Sequence, residues 1–368
     1  MSHPLSERER VAWLRLARTQ NVGPVTFAQL IARFGSATAA LGEVPRLMRR
    51  GGGSAPLPSE SDARREIDAL AALGGRLIAS AEAEYPRGLA ALEAPPPVIS
   101  VIGRDAILKR EMIAIVGARN ASALGRKLTS RIAADLGAAG LVVVSGMARG
   151  IDTAAHEGSL ASGTCAVIAG GIDIIYPPEN KTLYERIKTE GVVVSEMPLG
   201  QQPQARHFPR RNRIISGLAR GVVVVEASEG SGSLITANYA LEQNREIFAV
   251  PGSPLDPRAK GTNRLIREGA VLTEGAEDVL GVLSPMLGGN FQEPTHTDGI
   301  MPPGEDLAET EADRIRKTVE EALGPAPVSV DELIRLCGAP AAAVLTVILE
   351  LELAGRLARH SGNKVSWL

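Results

Sequence analysis

The chain has 368 residues, enough for two or three domains with a sizeable core, and it sets 40 Lys and Arg against 42 Asp and Glu for a formal net charge of −2. That balance excludes a uniformly basic protein, so any site for a polyanion has to be local. Cys165 and Cys337 are too few and too far apart for a disulfide framework or a metal cluster and fit a reducing compartment. No apolar run approaches the roughly 20 residues that span a bilayer, and Met1 to Arg18 is studded with Arg and Glu where a signal peptide would be apolar. The composition reads as soluble and intracellular.

In chain order, residues 7–47 repeat apolar side chains at helical spacing (Val11, Leu14; Phe27, Leu30, Ile31, Phe34), which predicts a small helical unit. Gly51 to Pro58 has the composition of a flexible connection. From about Leu77 to Leu287, short wholly apolar runs alternate with helical segments: 113–116, 141–144, 166–168, 192–194, 222–225 and 247–250. Such strands are buried on both faces, and helices between them imply parallel pairing with right-handed crossovers. The expected class is α/β, a Rossmann-like doubly wound parallel sheet. A Gly/Pro/acid-rich connection follows, then helix, turn, helix and a Gly-punctuated hairpin, the outline of a winged helix. The predicted domains are a helical unit over 1–75, the α/β unit over 76–287, a linker over 288–310 and a winged-helix-like unit over 311–368.

The densest chemical signal is Phe208-Pro209-Arg210-Arg211-Asn212-Arg213. No Asp or Glu falls between Glu196 and Glu226, whereas Arg206, Arg210, Arg211, Arg213 and Arg220 all do. Concentrated positive charge beside an aromatic ring suits a polyanion with bases to stack; the bland alternative is a solvated loop, or arginines paired elsewhere in the fold. Almost every strand ends in small or polar residues, and in an open α/β sheet the ligand lies beyond those ends. Gly117 with Arg119 precedes one helix. Gly146, Arg149 and Gly150 form a second turn, and Ser231, Gly232 and Ser233 a third that suits a phosphate. Arg119 stands where the second glycine of G-x-G-x-x-G would be, and no G-x-x-x-x-G-K-[ST] occurs, which weakens a dinucleotide or ATP reading. Lys181 and Tyr184 project from the helix after Tyr176-Pro177-Pro178, either toward a nucleic-acid strand or, for Lys181, simply into solvent. His156 lacks a Ser, Cys or metal partner at useful spacing and reads as structural. Neither a nucleophile–base pair nor a metal-ligand pattern is legible, so neither cofactor nor metal is expected.

These fragments, in this order, resemble the bacterial DNA-processing protein A (DprA/Smf) family: 116–119, 145–152, Tyr176-Pro177 with Asn180, Ser195-Glu196, Phe208-Pro209 with 211–215, 231–233 with Thr236-Ala237, and Pro251-Gly252 with 261–263. The helical start with Asn21-Val22-Gly23-Pro24 is similar to the family's SAM-like N-terminal domain, and the tail resembles its winged helix. The resemblance implies a cytoplasmic homodimer, not an enzyme and not membrane-bound, that binds single-stranded DNA and hands it to the RecA recombinase in natural transformation. It puts the family's DNA-contacting arginine on Arg119, its lysine on Lys181 and its aromatic on Phe208. The DNA-binding set expected here adds Arg206, Arg211, Asn212 and Arg213. Many relatives carry a lysine where this chain has Ala205, and Arg206 is its neighbour. Two rivals share parts of the pattern. A phosphoribohydrolase-like enzyme would need a glutamate in the helix after 229–233, where this chain has Leu234-Ile235-Thr236-Ala237. A duplex-DNA regulator would need Arg, Asn or Gln on its recognition helix, whereas residues 341–353 are apolar apart from Thr346, Glu350 and Glu352.

Overall fold

The computed structural model describes residues 5–287, 309–360 and 362–368, so most of the linker predicted over 288–310 lies outside the described residues. Packing divides the described residues into two compact units: one of residues 65–287, the other of residues 5–64 together with those from 309 onward.

The chain starts with three helices. Helix α1 (Glu7–Ala17) is capped by the Ser6 hydroxyl, which accepts from the Glu9 N–H; α2 (Pro24–Phe34) has proline in its first turn; α3 (Ala37–Arg50) is capped by Ser36. They close on Leu14, Leu16, Leu30, Val44 and Leu47, with the rings of Trp13 and Phe27 5.0 Å apart. The Glu9 carboxylate also accepts from the start of α3, 2.5 Å from Ala37 N and 2.7 Å from the Thr38 hydroxyl.

Helix α4 (Glu60–Ala72) leads into the sheet unit. There follow β1 (Gly75–Ala79), α5 (Arg87–Ala90), β2 (Val98–Gly103), β3 (Met112–Gly117), α6 (Ala123–Ala138), β4 (Val142–Ser145), α7 (Ile151–Ser159), β5 (Thr164–Val167), α8 (Lys181–Glu190) and β6 (Val192–Ser195). The unit ends with α9 (His207–Leu218), β7 (Gly221–Val225), α10 (Gly232–Glu242), β8 (Glu246–Ala249), α11 (Lys260–Arg267), β9 (Val271–Leu272) and α12 (Ala276–Leu287). The nine strands lie in the order β1-β2-β6-β5-β4-β3-β7-β8-β9. From β6 to β9 the pairing is parallel, with Ala114 of β3 opposite both Val144 and Val222. Strands β1 and β2 depart from the expected all-parallel sheet and extend it antiparallel from β6. Alternate side chains serve two cores: Ala114, Val116, Val142 and Val144 on one face, Ile113, Ile115 and Val143 on the other. The chain lays strands outward from β3 to β6 and then returns to set β7 against β3. That reversal opens a crevice at the carboxyl ends of β3 and β7.

The tail is α13 (Glu309–Ala322), β10 (Val328–Ser329), α14 (Val330–Cys337), α15 (Ala341–Leu353), β11 (Leu357–His360) and β12 (Lys364–Trp367), with sheet order β10-β12-β11: a winged helix. Its core takes Val344, Val347, Ile348 and Leu351 from one face of α15. The opposite face packs within the same unit against the N-terminal helices. Leu349 and Leu353 are buried there, and Glu350, 2% exposed, accepts from Arg316 at 2.5 Å and lies 3.8 Å from Arg50. The Asn21 side chain donates to Leu353 O and Arg33 to the Thr346 hydroxyl, both at 3.1 Å. A Cβ on Gly51 would overlap Glu350 O, and one on Gly53 would sit 2.6 Å from Ala354 Cα. These glycines, expected to make a flexible connection, permit a close backbone approach instead.

Candidate nucleic-acid interface

Two adjoining cavities occupy the crevice, sharing Arg119, Ala148, Phe208 and Arg211. The larger, about 490 Å³, is lined by Gly117 and Arg119 after β3, Asn212 on α9, and Ser231, Gly232 and Ser233 at the start of α10. The smaller adds Gly146, Arg149 and Tyr176. Residues scattered over more than one hundred positions therefore meet because each follows a strand of the same sheet.

Phe208 is half-buried at the junction of the two cavities. The Arg119 guanidinium lies 5.2 Å from its ring centroid, that of Arg211 5.9 Å, and the Tyr176 ring 5.9 Å away at a tilt of 57°. Both cation–ring distances fall within the range of cation–π attraction. Arg119 and Tyr176 are exposed, so the cluster presents one cation and one exposed ring to solvent, with Phe208 half-buried between them. Tyr176 was not among the expected contacts; its place beside the Tyr-Pro turn was the available signal.

Arg211 behaves differently. It is buried, and its guanidinium donates to the carbonyl of Gly146 and, at 3.2 Å, to that of Val167, which ties the ends of β4 and β5 together. Burial pulls its pKa down while nearby Asp152 pushes it back up. Asp152, buried at the start of α7, accepts from Ala148 N at 3.2 Å, and burial raises its pKa above the usual carboxylate range against the pull of Arg211. The turn between them needs Gly150: its φ of 80° lies in the left-handed region, and a Cβ would strike the carbonyls of Ala118 and Arg119.

The other expected contacts divide. Asn212 is buried and donates to Gly232 O at 3.2 Å, which holds α9 to the Ser/Gly turn. Arg213 is largely covered, 2.6 Å from Glu196, and also donates to Ala94 O. Arg210 lies 3.7 Å from Glu196, and Arg220 forks onto Glu111 at 2.6 and 3.2 Å. The acid-free window is thus neutralised in part from its own edge and from Glu111 before β3, which is the pairing alternative weighed above. Arg206 and Lys181 are exposed and line neither cavity. Arg149, which lines the smaller cavity, lies 3.5 Å from exposed Glu179.

At the turn from β3 to α6, the Glu226 carboxylate accepts from Ser122 N at 2.9 Å and from its hydroxyl at 2.5 Å. It occupies the N-terminus of α6, where a phosphate had been expected. Gly117 serves packing there, since a Cβ would overlap Val225 O. His156 is fully buried, with Nδ1 2.8 Å from the Thr164 hydroxyl; burial, then Arg211, depresses its pKa to about 3. Among the described residues no cluster of His, Cys, Asp and Glu is suited to a metal.

This fold and site define a class: a Rossmann-like α/β protein without a dinucleotide cradle, carrying an arginine–aromatic crevice, an N-terminal helical domain and a winged helix. The family description "DNA recombination-mediator protein A" matches residues 76–284, the DprA-like N-terminal HHH domain residues 7–69, and the DprA winged helix domain residues 303–363. The chain is 31% identical over 406 aligned positions to Protein Smf of Synechocystis, covering 98% of this chain and 99% of that one. The crystal structure of DprA from Streptococcus pneumoniae superposes with a TM-score of 0.61 at 32% identity, over 76% of this chain and 98% of that one. DprA from Helicobacter pylori, whose structure concerns its single-stranded DNA binding mode, superposes with a TM-score of 0.51 at 28% identity, over 55% and 93%. The chain belongs to the DNA-processing protein A (DprA/Smf) family. Among the described residues, no helix is long and apolar enough to cross a membrane.

Proposed function

We propose that this protein binds single-stranded DNA across the carboxyl ends of its strands and, as a homodimer, delivers it to the RecA recombinase during natural transformation and recombination. The observation that carries the reading is the Arg119–Phe208–Tyr176 cluster at the topological switch point. A guanidinium at the rim meets a phosphate, and exposed ring faces take splayed bases that a duplex keeps stacked. Arg119, Phe208, Arg206 and Lys181 are the proposed contacts with the strand. Arg211, Asn212 and Arg213 support them by holding β4, β5, α9 and α10 in register. The relative from Helicobacter pylori, with its single-stranded DNA binding mode, points the same way.

The role needs no catalysis, and the site is read as a binding surface. His156, which the sequence offers as a conceivable base, is fully buried with its Nδ1 on the Thr164 hydroxyl. The duplex-regulator reading loses support because the outer face of α15 is covered by α3. The homodimer is proposed through the open edge of the sheet at β9, where Leu272 is 47% exposed. In the apolar segment 265–287 that contains β9, Leu265, Val279 and Leu283 are spent on the core.

The test is binding of the purified chain to single-stranded and duplex oligonucleotides across a salt series. Preference for the single strand is expected, with a log–log salt slope of roughly −2 for about three neutralised phosphates. Equal affinity for duplex, or no dependence on salt, overturns the proposal.

A further inference from the structure

Beyond the Arg119 groove, the same edge of the sheet carries another cavity of about 490 Å³. The first turns of α6 form one wall and the loop after β8 the other, over a floor of Leu128, Val250 and Ala259. Arg258 lines both this cavity and the Arg119 groove. The three cavities therefore succeed one another along the carboxyl ends, from β4 and β5 through β3 and β7 to β8, toward the open edge at β9.

The charges at this cavity are not evenly available. Asp256 is held in the Arg258 fork at 3.0 and 2.8 Å, and Glu226 is committed to Ser122. Lys127 and Arg131, one turn apart on α6, stand exposed at the rim, Arg131 within 3.7 Å of exposed Asp135. Leu124, one turn earlier, is 79% exposed at the mouth. A bare anion would gain nothing from this apolar floor and exposed leucine. A dinucleotide pyrophosphate would need the N-terminus of α6, which Glu226 fills. A nucleotide unit uses what remains: base and sugar against Leu124 and Leu128, phosphate at Lys127 and Arg131, while Arg258 stays on Asp256.

We propose that this cavity is a second nucleotide subsite, occupied by further units of the single strand that starts at Phe208. The proposal rests on the single-strand reading above. It makes the sheet edge a continuous track that runs from the aromatic cluster toward β9.

The experiment uses the full chain, oligo-dT of about 5 and about 20 nucleotides, sizes that bracket short and extended binding modes, and free dTMP. The variants are the double Lys127→Ala, Arg131→Ala and the single Leu124→Asp, all at exposed side chains, with unchanged thermal unfolding as the folding control. On the long strand each variant is expected to bind about tenfold more weakly, and the double variant's salt slope to shrink by about 1.4, or about 0.7 for each lost phosphate contact. On the short strand both should match wild type. Unchanged affinity for the long strand, or equal losses on both lengths, overturns the subsite. Saturable dTMP binding that the double variant loses, with both oligomers unaffected, keeps the nucleotide chemistry but gives the cavity to a free nucleotide. Wild-type protein that binds neither length overturns the single-strand reading itself.

Discussion

Arg119 and Phe208 touch, yet they are proposed to contribute different terms and can be separated by measurement. Arg119→Ala should weaken single-strand binding about equally for all sequences and reduce the salt slope by about 0.7, because a phosphate contact positions a strand without reading it. Phe208→Ala should cost about 1–3 kcal/mol of binding, the usual worth of a base stacked on an aromatic ring. The ring is half-buried, so thermal unfolding must be followed in parallel. A binding loss that tracks lost stability would assign Phe208 to the core. His156 carries a pH signature. Its pKa is about 3 in the fold against about 6.5 in the unfolded chain, so only the unfolded chain takes up the proton between those values. The stability associated with neutral His156 is therefore complete above pH 6.5 and is lost as pH falls toward 3. By pH 5 the loss should reach about 2 kcal/mol. Denaturant unfolding of wild type and His156→Asn at pH 7 and pH 5 checks the difference; equal pH slopes would refute it.

Helix α15 has the position of a recognition helix and is packed on both faces. Helix, turn, helix and hairpin suggest a DNA-reading module, but this helix offers apolar side chains on both faces. One face fills the winged-helix core, and the other carries Leu349 and Leu353 against the N-terminal helices. Glu350 sits at that seam with Arg316 and Arg50. Glu350→Ala should destabilise the unit by about 1–3 kcal/mol, since it leaves half-buried Arg316 without its carboxylate. Gly51→Val tests the same seam by a different route. Gly51 has an ordinary negative φ, so only the overlap with α15 penalises a side chain there, by about 1–3 kcal/mol. Calorimetry should show the transition of this unit moving down while that of the sheet unit stays in place.

In the proposed assembly, a protomer with one aromatic cluster and few free cations holds a strand weakly, and a second copy on the same strand converts the next contact into an intramolecular one. The gain in avidity is about 10²–10⁴. Leu272→Asp, on the exposed edge strand, should yield a monomer in sedimentation and lose that gain on long strands while leaving short-strand binding intact. A dimer that survives the substitution would move the interface elsewhere.

The parallel sheet was legible because its strands are buried on both faces: runs such as 222–225 have no polar alternation and admit little else. The Phe208 cluster was legible in outline, because strand ends in an open sheet converge wherever the order reverses. Strands β1 and β2 were not legible, since β2 takes its place from an antiparallel partner, β6, about ninety residues further along the chain and beside it only in space, and β1 pairs in turn with β2. The roles of the arginines were also hidden. Nothing local distinguishes Arg211, buried under two strand-end carbonyls, from exposed Arg206, nor Arg213 on Glu196 from a free cation. Local sequence records which charges a segment carries, but whether a charge faces solvent or another carboxylate depends on what distant segments bring beside it.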